Sequence, residues 1–436
     1  MKKWFRKLQQ FNFIIPILFI ILGTIAVILY GRGYRPDIKN SQLISTGLIA
    51  ATSDPTGAQV YINDLLKTAT NNSLNIDPGW YKVKIAREGF ITWEKKLRVQ
   101  GEIVTRADAF LFPQNPSLSP ITNTGVINPI LSPDGIKIAY VIPAGIEGQP
   151  ANKAGLWLYN LGDRPFGISR DTIQLGISEP VFDFTQTSLT WSPDSTQIMA
   201  DNNQQVRLYQ TDKSGVWEDT SASYVFIQRE WDKQRQLRQR QQLAAFKQGI
   251  VDVATLSAQI IAFSPDETKI LYEATASATV PQVINPALIG TNSTEETRII
   301  EPGKIYVYDS KEDRNYFLLD KKEIVGSSPK PSPKNLPANL VPTANYELTN
   351  LFWFPTSRHL VLTLPARLPS PDGKTTGGQG KIDIMEYDRT NWVTVYSGPF
   401  EPGFMAIWPN ASRIIVLSNL NPGVSTLPNL YTVNLR

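Results

Sequence analysis

"LSPDGIKIAY", Leu131–Tyr140, is a proline-led polar turn running into an alternating apolar strand. Four further stretches repeat the pattern: "WSPDSTQIMA" from Trp191, "FSPDETKILY" from Phe263, "WFPTSRHLVL" from Trp353 and "IWPNASRIIV" from Ile407. Their prolines, Pro133, Pro193, Pro265, Pro355 and Pro409, are spaced by 60, 72, 90 and 54 residues, each wide enough for one repeat plus loops. A second strand-like run follows every motif: "GLWLYNLGD", "QVRLYQTD", "KIYVYDS", "KIDIMEYD" and "NLYTVNL". With the strand before the proline and one after this run, each repeat holds four strands, the composition of a propeller blade.

The motif needs no ligand to explain it. Proline fixes φ at the second turn position, Ser and Asp side chains cap nearby amides, and Gly135 suits a positive φ. Asp134, Asp194 and Asp266 are therefore read as turn residues. In the last two repeats the carboxylate gives way to Thr356 and Asn410, so no shared catalytic acid is expected. A "SPDG" at Ser370–Gly373 lacks a following apolar strand and reads as a loop. The chain ends one strand short of a fifth blade, and residues 116–126 are expected to supply it.

These repeats resemble the TolB-like, WD-like β-propeller, a fold shared with the blades of prolyl-oligopeptidase-type enzymes. Five repeats are detectable against six blades in TolB, leaving a degenerate sixth open. The accompanying hydrolase domain is not expected, because no G-x-S-x-G elbow occurs.

Residues 46–113 read as a separate unit. In "DPTGAQVYIN", Pro55 and Gly57 make a turn before a strand carrying Val60 and Ile62; in "IDPGWYKVKIAREGF", Pro78 and Gly79 precede alternating Tyr81, Val83 and Ile85, and Gly89 suits a positive φ. Together with Ala58 and Phe90, these residues resemble the PEGA domain, a small β-sandwich of surface proteins, with Thr56 where that motif usually has Glu. The resemblance implies a spacer without chemistry of its own.

"FNFIIPILFIILGTIAVILY", Phe11–Tyr30, has no charged residue and follows Lys2, Lys3, Arg6 and Lys7. It reads as an uncleaved single-pass anchor, with the N-terminus cytoplasmic and the bulk extracytoplasmic at the cell membrane. The four basic residues account for the whole formal charge of +4, since Lys plus Arg is 43 and Asp plus Glu is 39. A neutral body argues against nucleic acid as partner. Cysteine is absent and His359 is the single histidine, read as a strand residue, so thiolate, triad and His-cluster chemistry are not expected. No metal, cofactor or small-molecule substrate is predicted.

A helical insertion is expected near 226–255. Leu243, Phe246, Ile250 and Val253 form its apolar stripe, while Lys233, Arg235, Arg238 and Arg240 form a basic stretch without acids, a candidate partner contact. "SSPKPSPKNLP", Ser327–Pro337, reads as an extended inter-blade loop.

The sequence thus predicts an all-β protein: basic tip 1–10, transmembrane helix 11–30, linker 31–45, PEGA-like sandwich 46–113 and propeller 116–436. The expected function is non-enzymatic binding or scaffolding in the cell envelope, with a protein or cell-wall partner on the propeller loops. Two alternatives stand beside it: a carboxylate-based lyase or hydrolase sited in the propeller channel, and a structural surface-layer component.

Overall fold

The computed structural model describes residues 2–31, 34–37, 42–145, 150–162, 172–321, 351–365, 379–420 and 427–436. The expected loops at 327–337 and 370–373 lie outside them. The chain divides into two compact units, residues 1–111 with 287–295, and residues 112–286 with 296–436.

In the first unit a single helix, α1 (Lys2–Gly31), runs through both the basic tip and the apolar segment. This corrects the transmembrane expectation: among the described residues, no helix is long and apolar enough to cross a membrane. The first turns of α1 carry Lys2, Lys3, Arg6 and Lys7. Where a linker is expected, Tyr34–Asp37 pairs antiparallel with Gln42–Ser45.

The sandwich that follows has two sheets. Gly47–Asp54 pairs antiparallel with Asn72–Ile76 and parallel with Val104–Phe110. The other sheet runs in the order Leu65–Ala69, Gln59–Ile62, Gly79–Ala86, Trp93–Val99. The period-two pattern places Val60, Ile62, Val83, Ile85, Trp93 and Leu97 inward, where they join Ile49, Ala51 and Ala107 in one core. Gly57 (φ +80°) and Gly89 (φ +79°) take the left-handed turn positions, Ala58 is buried, Pro55 follows Asp54 in the turn, Pro78 occupies a bend, and Gly79 opens a strand. Residues 287–295 belong to this unit: Arg98 N–H donates to Ser293 Oγ at 2.9 Å and Gly290 N–H to Gln100 Oε1 at 3.1 Å, along the sheet's edge strand.

The second unit contains five four-stranded antiparallel sheets among the described residues. Blade 1 is Ile127–Leu131, Lys137–Ile142, Gly155–Asn160 and Thr172–Ile177; blade 2 is Ser188–Trp191, Gln197–Asp201, Val206–Gln210 and Trp217–Asp219. Blade 3 is Ala258–Phe263, Lys269–Ala274, Lys304–Asp309 and Arg314–Asp320; blade 4 is Leu351–Trp353, His359–Pro365, Gln379–Glu386 and Val393–Pro399. Blade 5 is Glu401–Ile407, Arg413–Ser418 and Asn429–Asn434, completed on its outer edge by Leu118–Pro120. Leu118 pairs with Val433 and Pro120 with Tyr431, so a strand from the start of the unit covers the last strand's edge. The first strands approach one another, blade 1 against blades 2 and 5, and blade 3 against blade 4, which makes them the inner strands.

Buried apolar clusters join blade 1 to blade 2, blade 3 to blade 4, and blade 5 to blade 1. Between blades 2 and 3 the described clusters run through helices instead. The expected single helical insertion is two helices, α2 (Tyr224–Leu243) and α3 (Gln248–Leu256). On α2, Trp231 packs with Met199, Val206 and Leu208 of blade 2. Leu243, Phe246, Ile250 and Ala254 pack with Ile270, Tyr272, Tyr306 and Tyr308 of blade 3. The break at residues 244–247 turns Phe246 into that core, with its ring centroid 6.1 Å from Phe263 and 6.3 Å from Tyr308.

Candidate binding groove at the blade 1–blade 5 seam

The five motif turns share one geometry. In each, the residue two places after proline donates its N–H to the residue before proline: Gly135 to Ser132, Ser195 to Ser192, Glu267 to Ser264, Ser357 to Phe354 and Ala411 to Trp408, all at 2.8–3.0 Å. The strand-opening residue's carbonyl then accepts from the residue before proline, as Lys137 does from Ser132 at 2.9 Å and Arg413 from Trp408 at 2.9 Å. Pro133, Pro193, Pro265, Pro355 and Pro409 therefore sit in equivalent turns at the rim of the propeller.

The aspartates are engaged inside these turns. Asp134 Oδ1 accepts from Ser132 Oγ and from Ile136 N–H at 3.1 Å; Asp194 Oδ1 accepts from Ser192 Oγ at 2.6 Å and Thr196 N–H at 3.1 Å; Asp266 Oδ1 accepts from Ser264 Oγ at 2.7 Å. Burial raises the Asp266 carboxyl, but hydrogen bonds from Ser264, Thr268 and Lys311 outweigh it and hold it well below the usual carboxylate range. The same balance, with Ser192 and Thr196 as donors, lowers Asp194. Two turns are clipped to the next blade. Asp134 N–H donates to Ser195 Oγ at 3.1 Å, and Asp266 N–H to Ser357 Oγ at 2.9 Å.

Residues 233–240 hold no acid, but acids just before them and on blade 3 pair with three of the four cations. Lys233 lies 3.9 Å from Glu230, Arg235 pairs with Asp232, and Arg238 pairs with Glu267 of the blade 3 turn. Of the four, only Arg240 makes no ion pair among the described residues. Only the Arg238–Glu267 pair ties α2 to a blade; the Lys233–Glu230 and Arg235–Asp232 pairs lie within the helix. His359 is buried at the start of a blade 4 strand, its ring edge-on to Phe354 and Phe112 and its Nδ1 3.0 Å from Thr356 Oγ1. For channel chemistry, the described inner strands contribute one carboxylate, Glu401, whose pKa is raised by desolvation.

A groove of ≈ 430 Å³ lies where the first and last blades meet, lined by Ser119, Pro120, Ile121, Tyr159, Thr172, Trp408, Arg413 and Thr432. Its floor follows from the blade 5 motif. Trp408 precedes the motif proline and is buried against blade 1, with Tyr159 edge-on at 6.3 Å. Arg413 opens the next strand and places its guanidinium 4.9 Å from the Trp408 ring centroid. The wall is the closing strand itself, where Thr432 Oγ1 donates to the Ser119 carbonyl at 3.2 Å. Among the described residues the lining holds hydroxyls, aromatic faces and one fixed cation, a set that can recognise an anionic or hydroxyl-bearing group. Sequence reading missed it because Ser119, Tyr159 and Arg413 meet only through ring closure.

Comparison with solved structures gives distant likenesses. The chain resembles TolB from Acinetobacter baumannii at 11% identity and a TM-score of 0.21, covering 81% of this chain and 59% of that one. It resembles a putative TolB from Agrobacterium tumefaciens at 10% identity and a TM-score of 0.19, covering 90% and 99%. An acylaminoacyl peptidase from Pyrococcus horikoshii matches at 12% identity and a TM-score of 0.18, covering 68% of this chain and 35% of that one. At such scores the likenesses carry no argument about activity. No curated protein matches the chain. In the N-terminal unit, residues 46–115 match the PEGA domain.

Proposed function

We propose that the protein is a non-enzymatic binding module of the cell envelope, working outside the cytoplasm, with the PEGA-like unit as spacer and the propeller as platform for a protein or cell-wall partner. The seam groove carries this reading: among the described residues it offers Arg413, Trp408, Tyr159 and three hydroxyls around ≈ 430 Å³, a set suited to recognising an anionic or hydroxyl-bearing group. The PEGA match over residues 46–115 supports the envelope setting, since that domain belongs to surface proteins.

The test is crosslinking of intact cells followed by mass spectrometry, with the wild type beside Tyr159→Ala and Arg413→Glu. The expected result is a heterologous crosslink at the seam that falls about tenfold in Arg413→Glu, as for the loss of a charge-assisted contact. Undiminished crosslinking in both variants, self-contacts alone, or turnover by the purified protein would each overturn the proposal. Surface proteolysis of intact cells should cleave the propeller; full protection would contradict the extracytoplasmic placement.

A further inference from the structure

The outward face of the four-stranded sheet in the PEGA-like unit has a built pattern that a passive spacer does not require. Cross-strand register sets three rows on it: Tyr61–Lys84–Glu94, then Lys82–Lys96, then Trp80–Arg98. Lys82 and Lys96 stand directly opposite, an arrangement that costs stability in a sheet unless a negative group intervenes. Lys82 is answered by Asp64 at 3.5 Å and Glu94 at 3.3 Å. Lys84, Lys96 and Arg98 make no ion pair among the described residues. Two of them lie over aromatic rings instead: Lys84 Nζ is 5.5 Å from the Tyr61 centroid and Lys96 Nζ 5.2 Å from that of Trp80. Trp80 is 51% exposed, an unusual amount for the largest apolar side chain on a folded sheet.

We propose that this face binds an acidic polysaccharide. The rows repeat every two residues, about 7 Å along the strands, so the cations form a line rather than a pocket. A line of charge fits a polymer with regularly repeated carboxylates better than a single small anion, and exposed Trp80, with half-buried Tyr61, offers aromatic surface to sugar C–H groups beside the cations. An anionic lipid surface is the competing occupant. The regular line of cations favours the polymer over it, and the vesicle arm of the experiment decides between them.

The experiment applies the full chain to immobilised polygalacturonate, to neutral dextran and to phosphatidylglycerol vesicles, at about 0.01 M ionic strength where exposed charges act over about 30 Å. Retention on polygalacturonate alone, lost on raising salt, is expected. The Lys84→Glu, Lys96→Glu, Arg98→Glu triple variant should weaken it by at least about tenfold. Trp80→Ala should weaken it several-fold without changing the salt dependence. If the reversal variant does not fold, the corresponding glutamine triple variant, checked by circular dichroism, takes its place with the same direction. Equal retention on dextran, retention on vesicles but not polygalacturonate, or undiminished binding by the folded triple variant would overturn the proposal.

Discussion

Two places after each motif proline the backbone is left-handed: φ is +73° at Gly135, +60° at Ser195, +56° at Glu267, +58° at Ser357 and +61° at Ala411. Only the first is the residue that conformation favours. Three of the other four side chains make a contact that offsets the strain. Ser195 and Ser357 accept a backbone N–H from the preceding blade, and Glu267 pairs with Arg238 and accepts from Gln242 Nε2 at 3.1 Å. Ala411 makes no such bond. Ser195→Ala should accordingly lose about 1–2 kcal/mol by leaving the Asp134 amide unpaired, whereas Ala411→Gly should gain about 0.5 kcal/mol, both read from urea unfolding midpoints. The same turns set an acid response. Because Asp194 and Asp266 have folded pKa values below their unfolded ones, the stability they contribute is present above about pH 4 and is lost as pH falls through the folded values. Asp266→Asn should flatten the decline of melting temperature below pH 4; an unchanged slope would show that the turn carboxylates do not govern it.

At the level of elements, regular turn chemistry made the blades readable and irregular packing hid the rest. Five prolines with the same flanking pattern located every second strand, because turn geometry is encoded within about six neighbouring residues. The shortfall of one strand at the C-terminus could be counted, and Leu118–Pro120 fills it. The break between α2 and α3 could not be read, since "LAAFKQ" has neither Pro nor Gly before Gly249; the chain turns there because Phe246 is drawn into the blade 3 core. Nor did the sequence reveal that the insertion packs against two blades, through Trp231 on blade 2 and Phe246 on blade 3. Trp231→Ala or Phe246→Ala should each cost about 3 kcal/mol, while Leu237→Ala, on the 55% exposed face of α2, should cost under about 0.5 kcal/mol in the same denaturation assay. Equal effects from all three would mean the helices are appended rather than bridging. The PEGA-like sheet shows the opposite division: alternation identified its inner face, but the outward rows were legible only once the register between Gly79–Ala86 and Trp93–Val99 was known.

On the scale of the whole molecule, one short strand decides whether the second unit is a ring. Leu118–Pro120 offers only three paired residues, reinforced by the Asn434 N–H to Ser117 carbonyl bond at 2.9 Å and by Thr122 Oγ1 and Asn429 Oδ1 at 3.0 Å. Replacing residues 117–121 by a Gly-Ser stretch should bare the edge of Asn429–Asn434 and produce oligomers by sedimentation at concentrations where the wild type does not associate. The seam groove should vanish with it, because Ser119, Pro120 and Ile121 form its wall.

This strand is also the first part of the propeller that the chain enters after the N-terminal unit. Tension applied across residues 112 and 436 therefore reaches Leu118–Pro120 before any other strand, and its three-residue pairing should part before the four-stranded blades unravel. Single-molecule stretching from residue 112 to residue 436 would show a small early extension of this kind, separate from blade unfolding.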